Sequence, residues 1–181
     1  MEKLSPFVVG DGEKCIGCKA CEIACHVSHN VEGITAGNID TPVFPKLFVT
    51  RVDEVTMPVQ CHHCEDAPCA QACLQKAIYF EGDKVLIQTE KCKGCKDCLV
   101  ACPFGAVELV PRFINGQEVM QENLGKPLLY GNKCDLCHTR EKGPICVEVC
   151  PEKALRLVEP HKEKKEKNKK AVATIVGMFK K

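Results

Sequence analysis

The chain has 181 residues, a net charge of +1, no tryptophan and only 5% aromatic residues. That length allows one ordinary domain or two small ones, and so few aromatics make a conventional core thin. The near-neutral charge excludes a global field aimed at nucleic acid or anionic membrane, and no apolar run approaches the length of a membrane span.

Sixteen cysteines, about 9% of the residues, mark a disulfide or metal scaffold, the staple that a thin core needs. Residues 1–14, MEKLSPFVVGDGEK, hold no basic region followed by an apolar run and no twin arginine. A reducing, cytoplasmic location is therefore expected, where metal ligation is favoured over disulfides.

In chain order, a strand at residues 6–9 leads into a first cysteine quartet, Cys15, Cys18, Cys21 and Cys25, spaced C-x2-C-x2-C-x3-C. Residues 26–60 carry loop punctuation, NVEGITAGN, with a short strand or hairpin that includes LFVTRV at 47–52. The second quartet, Cys61, Cys64, Cys69 and Cys73, reads C-x2-C-x4-C-x3-C and encloses His62 and His63. Two strands follow, Ala77–Phe80 and Val85–Gln88, around a Gly82–Asp83 turn. The third quartet, Cys92, Cys95, Cys98 and Cys102, repeats the spacing of the first and continues with Pro103 and a strand in PFGAVELV. Loops are expected again across 103–133. The fourth quartet, Cys134, Cys137, Cys146 and Cys150, reads C-x2-C-x8-C-x3-C before Pro151, and a strand at Ala154–Glu159 closes the body. Residues 162–170, with six lysines against two glutamates, read as a charged linker. Beyond them Val172, Ile175, Val176 and Phe179 fall on one helical stripe.

The C-x2-C-x2-C-x3-C-P run is a signature for a [4Fe–4S] cluster. Two-residue spacers let one tight loop present three sulfurs to three corners of a cube, and Gly17 and Gly94 permit its close approach. The x3 spacer starts a short helix that carries the last cysteine to a neighbouring cluster. Zinc sites instead pair two C-x2-C units across a longer spacer, which fits quartets two and four better than one and three. A Rieske-type centre would replace two cysteines by histidines, but each quartet is complete, so His62 and His63 read as loop bystanders. Lys14, Lys19, Lys91, Lys93, Lys96 and Lys133 flank cluster cysteines and read either as tuning and docking charges or as an ordinary solvated face.

Crossing makes the quartets work in twos. The 18 residues between Cys73 and Cys92 form a compact connection, so quartets two and three pair as an inner module at 45–112. Quartets one and four then share an outer module, 1–44 plus 113–160, with residues 161–181 as linker and tail helix. Pairing one with two and three with four needs connections of 35 and 31 residues, which loop lengths disfavour without excluding it.

The motifs CIGCKACEIAC, CHHCEDAPCAQAC, CKGCKDCLVACPFGA and NKCDLCHTREKGPICVEVCP resemble the four-cluster ferredoxin-like electron-transfer subunits of molybdenum or tungsten oxidoreductases. Among these the chain is most similar to the small iron–sulfur subunits of formate hydrogenlyase and hydrogen-dependent carbon dioxide reductase. Carbon monoxide dehydrogenase-associated ferredoxins are also similar. The resemblance covers residues 6–159 and implies an α+β fold of two ferredoxin-like modules, the inner inserted in the outer, with loops and a C-terminal helix. It implies four [4Fe–4S] clusters, held by Cys15, Cys18, Cys21 and Cys150; by Cys134, Cys137, Cys146 and Cys25; by Cys61, Cys64, Cys69 and Cys102; and by Cys92, Cys95, Cys98 and Cys73. Leu74, where a proline commonly follows, alters a helix stop and removes no ligand. The function implied is a non-catalytic relay between a formate dehydrogenase-type molybdenum or tungsten subunit and a hydrogenase, alongside another four-cluster subunit. The tail is expected to support docking or self-assembly. Another molybdenum, tungsten or carbon monoxide enzyme, or a free polyferredoxin, is the alternative, and a zinc-stapled interaction protein is the rival from a different class.

Overall fold

A computed structural model of the chain describes residues 4–29, 42–114, 116–122 and 124–179, the side chains of 178 and 179 excepted. The NVEGITAGN segment lies outside the described residues. The elements begin with β1 (Phe7–Gly10), α1 (Ala20–His29), β2 (Leu47–Val52), β3 (Val55–Gln60), α2 (Pro68–Gln71), β4 (Ile78–Glu81) and β5 (Lys84–Ile87). They continue with α3 (Asp97–Ala101), β6 (Glu108–Pro111), β7 (Phe113–Ile114), β8 (Gln117–Glu118), β9 (Leu129–Asn132), α4 (Ile145–Val149), β10 (Leu155–Val158) and α5 (Pro160–Phe179). The fold is thus a mixed one of short helices and antiparallel two-stranded ribbons with a C-terminal helix.

The outermost ribbon joins the two ends of the body: β1 pairs with β10, Phe7 opposite Val158 and Gly10 opposite Leu155. Val8, fully buried, and Leu155, nearly so, lie on one face of the ribbon, as period-two alternation requires, while Val158, opposite Phe7, is buried on the other face. The expected hairpin at 47–52 is β2 with β3, and the expected hairpin around Gly82 is β4 with β5, Ile78 opposite Ile87. Gly82 has φ +63, the left-handed conformation that suits a tight hairpin turn.

The strand expected in PFGAVELV is β6, but its partner is β9, Leu109 opposite Gly131. A boundary between residues 112 and 113 would therefore separate two strands that pair. Residues 162–170 are no separate linker either. They belong to the single helix α5, which starts on Pro160, where a missing N–H costs nothing. Lys169 and Glu166, three residues apart, form an ion pair on its surface. The first turn is tied to the body by Leu4 N–H donating to His161 Nε2 at 3.1 Å and by the Arg156–Glu163 pair.

The core is as thin as the composition implies. Among the described residues, seven larger side chains are fully buried, and two of them are histidines, His26 and His63. Leu47, Val8, Val85 and Val110 are the most deeply buried of the larger aliphatic side chains, each contributing about 1.5–3 kcal/mol, and no large aromatic is among the seven. Cysteine fills the deficit: in the main buried cluster five of ten members are Cys21, Cys25, Cys61, Cys134 and Cys146.

Candidate metal centres

Each quartet opens with a C-x-x-C loop, and all four loops share one backbone device. The residue before the second cysteine is left-handed in every case: Gly17 at φ +71, His63 at +49, Gly94 at +65 and Leu136 at +58. Glycine adopts this freely, and at Gly94 it is also required sterically, since an added Cβ would lie 2.8 Å from the Leu129 carbonyl oxygen. His63 and Leu136 hold the same conformation at roughly 1–2 kcal/mol each. The turn aims backbone N–H groups at sulfur: His63 N–H donates to Cys61 Sγ at 3.3 Å and Leu136 N–H to Cys134 Sγ at 3.4 Å.

Short helices then carry each last cysteine away from its own quartet. Cys15, Cys18 and Cys21 line a cavity of about 350 Å³ together with Cys150, not Cys25. Cys92, Cys95 and Cys98 line one of about 370 Å³ with Cys73. Cys61, Cys64 and Cys69 line one of about 320 Å³ with Cys102. The remaining cysteines gather as well: Cys25, Cys134 and Cys146 share one buried cluster, and Cys146 is pushed up to about 12 by burial and by the neighbouring Cys25 and Cys137 thiols.

The last cysteines of quartets two, three and four end in a common turn. A left-handed residue three positions on (Lys76 at φ +49, Gly105 at +60, Lys153 at +50) swings the next N–H back onto sulfur. Ala77, Ala106 and Ala154 donate to Cys73, Cys102 and Cys150 Sγ at 3.3, 3.4 and 3.2 Å. The pattern is legible as CLQKA, CPFGA and CPEKA, a repeat that spacing of cysteines alone does not reveal. Leu74 occupies the proline position of this turn without changing its form.

Cys25 differs. It is followed by His26 and helix α1 continues to His29, so its sulfur takes an N–H from Lys46 instead, at 3.3 Å. His29 stands over this site. Its Nε2 donates to Asp135 Oδ1 at 2.9 Å and its Nδ1 to the Cys25 carbonyl at 2.8 Å, 3.7 Å from Cys25 Sγ. Burial opposes charge on His29, but Asp135, Cys137 and Cys25 push it up to about 12. Asp135 also accepts from Lys46 Nζ and the Cys137 N–H, both at 2.8 Å. Against its burial, His29 and Lys46 hold its carboxyl well below the usual carboxylate range. Donor atoms of His29, Asp135 and Cys137 lie within 4.8 Å of one another, an arrangement the ion pairs account for.

Neither histidine of CHHC is incidental. His62 lines the cavity with Cys61 and is stacked between Phe7 and Phe104, at centroid distances of 5.1 and 4.0 Å. His63 accepts the Val85 N–H on Nδ1 at 3.0 Å, and burial followed by the charge of Lys133 pushes it down to about 3. Of the six lysines beside cysteines, Lys14, Lys19, Lys91, Lys93 and Lys96 are exposed, while Lys133 is buried.

These sites suit a cuboidal iron–sulfur cluster. All sixteen cysteines are free thiols. Burial and then the neighbouring Cys92, Cys69, Cys73 and Cys95 push Cys98 up to about 11, and burial, followed by the Glu22 carboxylate and the Cys18 thiol, raises Cys21 as far. Four such groups become thiolates together only around a cation, and ligation to metal supplies that charge. Alanine, proline, valine and isoleucine walls with N–H donors to sulfur complete the environment that tunes such a group.

Comparisons with known proteins agree with this chemistry. The family described as 4Fe-4S dicluster domain matches residues 52–160. The electron transport protein HydN of Escherichia coli (strain K12) is 39% identical over 159 residues, 88% of this chain and 91% of HydN. Formate hydrogenlyase subunit 2 of the same strain is 35% identical over 175 residues, 86% of this chain and 83% of that subunit. AegA of that strain is 41% identical over 155 residues, but the chain spans only 22% of its length. Among solved structures, the BamBC active site complex of benzoyl coenzyme A reductase matches at 18% identity and a TM-score of 0.40, covering 99% of this chain and 100% of that one; so loose a likeness carries no weight. The profile match and the HydN and formate hydrogenlyase similarities place the chain in the 4Fe-4S dicluster family, as an iron–sulfur protein of electron transfer.

Proposed function

We propose that the chain holds four [4Fe–4S] clusters in two ferredoxin-like modules, one inserted in the other, and acts as a non-catalytic relay subunit of a cytoplasmic oxidoreductase complex. The ligand sets are Cys15, Cys18, Cys21 and Cys150; Cys25, Cys134, Cys137 and Cys146; Cys61, Cys64, Cys69 and Cys102; and Cys73, Cys92, Cys95 and Cys98. The reading rests chiefly on three separate cavities that each combine three cysteines of one quartet with the last cysteine of another.

When bound, such clusters take up and release single electrons. The chain's own residues hold them through thiolates, direct N–H groups at the sulfurs and exclude water with apolar walls. Helix α1 packs on α4 and helix α2 on α3, and each pair bears cysteines of two neighbouring sites. Cys61 joins Cys25 and Cys134 in one buried cluster, with Cys102 packed against it, which sets the two inner sites side by side. Only Cys18 and Cys95 among the cysteines are exposed, and they mark the two ends of the row, where electrons enter and leave.

A formate dehydrogenase-type molybdenum or tungsten subunit and a hydrogenase are the partners we assign, supported by the similarity to formate hydrogenlyase subunit 2, with a further four-cluster subunit alongside. No described helix is long and apolar enough to cross a membrane. Helix α5 exposes Val172, Ile175 and Val176 by 59, 53 and 46%, a stripe for docking within such a complex or onto a second copy; Phe179's side chain lies outside the described residues. Anaerobically purified protein should contain about four irons and four acid-labile sulfides per quartet. Zinc without sulfide would overturn the reading, and isolation of the native complex should bring down a molybdopterin subunit and a hydrogenase.

A further inference from the structure

Lys133 is 3% exposed, although it carries an ammonium group. Its Nζ lies 3.0 Å from the Cys134 carbonyl oxygen and 3.6 Å from Cys61 Sγ, and it also donates to the Val85 carbonyl. Three acceptors match the three N–H bonds of an ammonium. None of the three is a carboxylate, so the hydrogen-bond partners bring no fixed counter-charge to this buried ammonium, an expensive arrangement in isolation. The residue also sits at a seam. Cys61 belongs to one inner site, Cys134 to the other, and Lys133 is in contact with both.

We propose that Lys133 is an electrostatic bridge between the two inner sites, raising the reduction potential of the cluster at each. This rests on the four-cluster reading above. Thiolate-ligated clusters on both sides supply the anionic surroundings that a buried ammonium needs, and the ammonium in turn favours the form carrying the extra electron. An electron that crosses the seam oxidises one inner cluster and reduces the other while staying beside the same positive charge. The N–H to sulfur contact is made on the Cys61 side alone, so the larger effect belongs to that cluster. Lys133 acts as a positioning charge and ligates nothing.

The test is redox titration followed by electron paramagnetic resonance on intact, cluster-loaded protein, comparing wild type with Lys133→Met and Lys133→Gln. Wild-type iron and sulfide content is read first, because a shortfall there overturns the four-cluster reading and not the bridge. With that content intact, two of the four potentials should fall in Lys133→Met and two should stay. Lys133→Gln, which keeps an N–H donor without the charge, should lower the same two. Unchanged potentials, or an equal shift of all four, would overturn the bridge. If Lys133→Met does not load, Lys133→Gln decides by the same rule. Failure of both to load would assign Lys133 to folding alone.

Discussion

Quartets two, three and four close on one turn, whereas quartet one closes on a helix. After Cys73, Cys102 and Cys150 the chain supplies its own N–H to the sulfur, from the alanine four positions on, so the environment of that cysteine is local. After Cys25 the helix runs on and the sulfur depends on Lys46, 21 residues away, and on a charged group that includes Asp135, 106 residues from His29. The same requirement, a donor on each crossing sulfur, is thus met in one way by short-range backbone and in another by long-range polar contacts. The second way ties the site to distant parts of the chain and makes it more sensitive to single side chains.

The largest effect on the Cys25 site should come from Asp135→Ala. It removes the partner of His29 and Lys46 and leaves two partly buried cations beside Cys25, a loss of about 3–5 kcal/mol for a buried pair broken on one side. Calorimetry should record a lower melting temperature, and iron should be lost from the Cys25 site before the other three. A smaller and sharper contrast uses glycine three positions after each crossing cysteine. Lys76→Gly and Lys153→Gly relieve a left-handed side chain and should stabilise by about 1 kcal/mol. Gly105→Ala should destabilise by about as much, since nothing lies within 4 Å of the added Cβ and only its φ of +60 opposes it. Ser28→Gly, inside helix α1, should go the opposite way from Lys76→Gly, by about 0.5 kcal/mol. Denaturant titration reads all four, and a stabilising Ser28→Gly would erase the distinction. Smallest is Leu74→Pro, which restores the residue found after Cys102 and Cys150; a stability change within about 0.5 kcal/mol is expected.

The cysteine spacing carried most of this site, because loop length and helix periodicity leave three thiols together and send the fourth away. Gly17 and Gly94 were legible for the same reason, but the matching left-handed positions of His63 and Leu136 were not, since neither residue type announces that conformation. The β1, β4, β5 and β10 strands follow from short apolar runs bounded by turn residues. The β6–β9 pairing does not: LLYGN reads equally as a loop, and only tertiary contact brings Gly131 N–H to Cys92 Sγ at 3.2 Å. Charge was the least legible property. KEKKEKNKK reads as a linker and is helix, and Lys133 looks like its five exposed counterparts until its burial is known. The network of His29, Lys46 and Asp135 is polar surface in the sequence and becomes a site only through folding.

Paired substitutions distinguish crossing of the last cysteine from ligation within one quartet. Cys61→Ala with Cys102→Ala removes two ligands of one site, whereas Cys98→Ala with Cys102→Ala removes one ligand from each of two sites, although the second pair lies within a single quartet. Iron and sulfide analysis of the purified variants should therefore show a loss of about four irons for the first pair and up to about eight for the second. The reverse order, with the larger loss in the pair drawn from two quartets, would show that each quartet binds its own cluster.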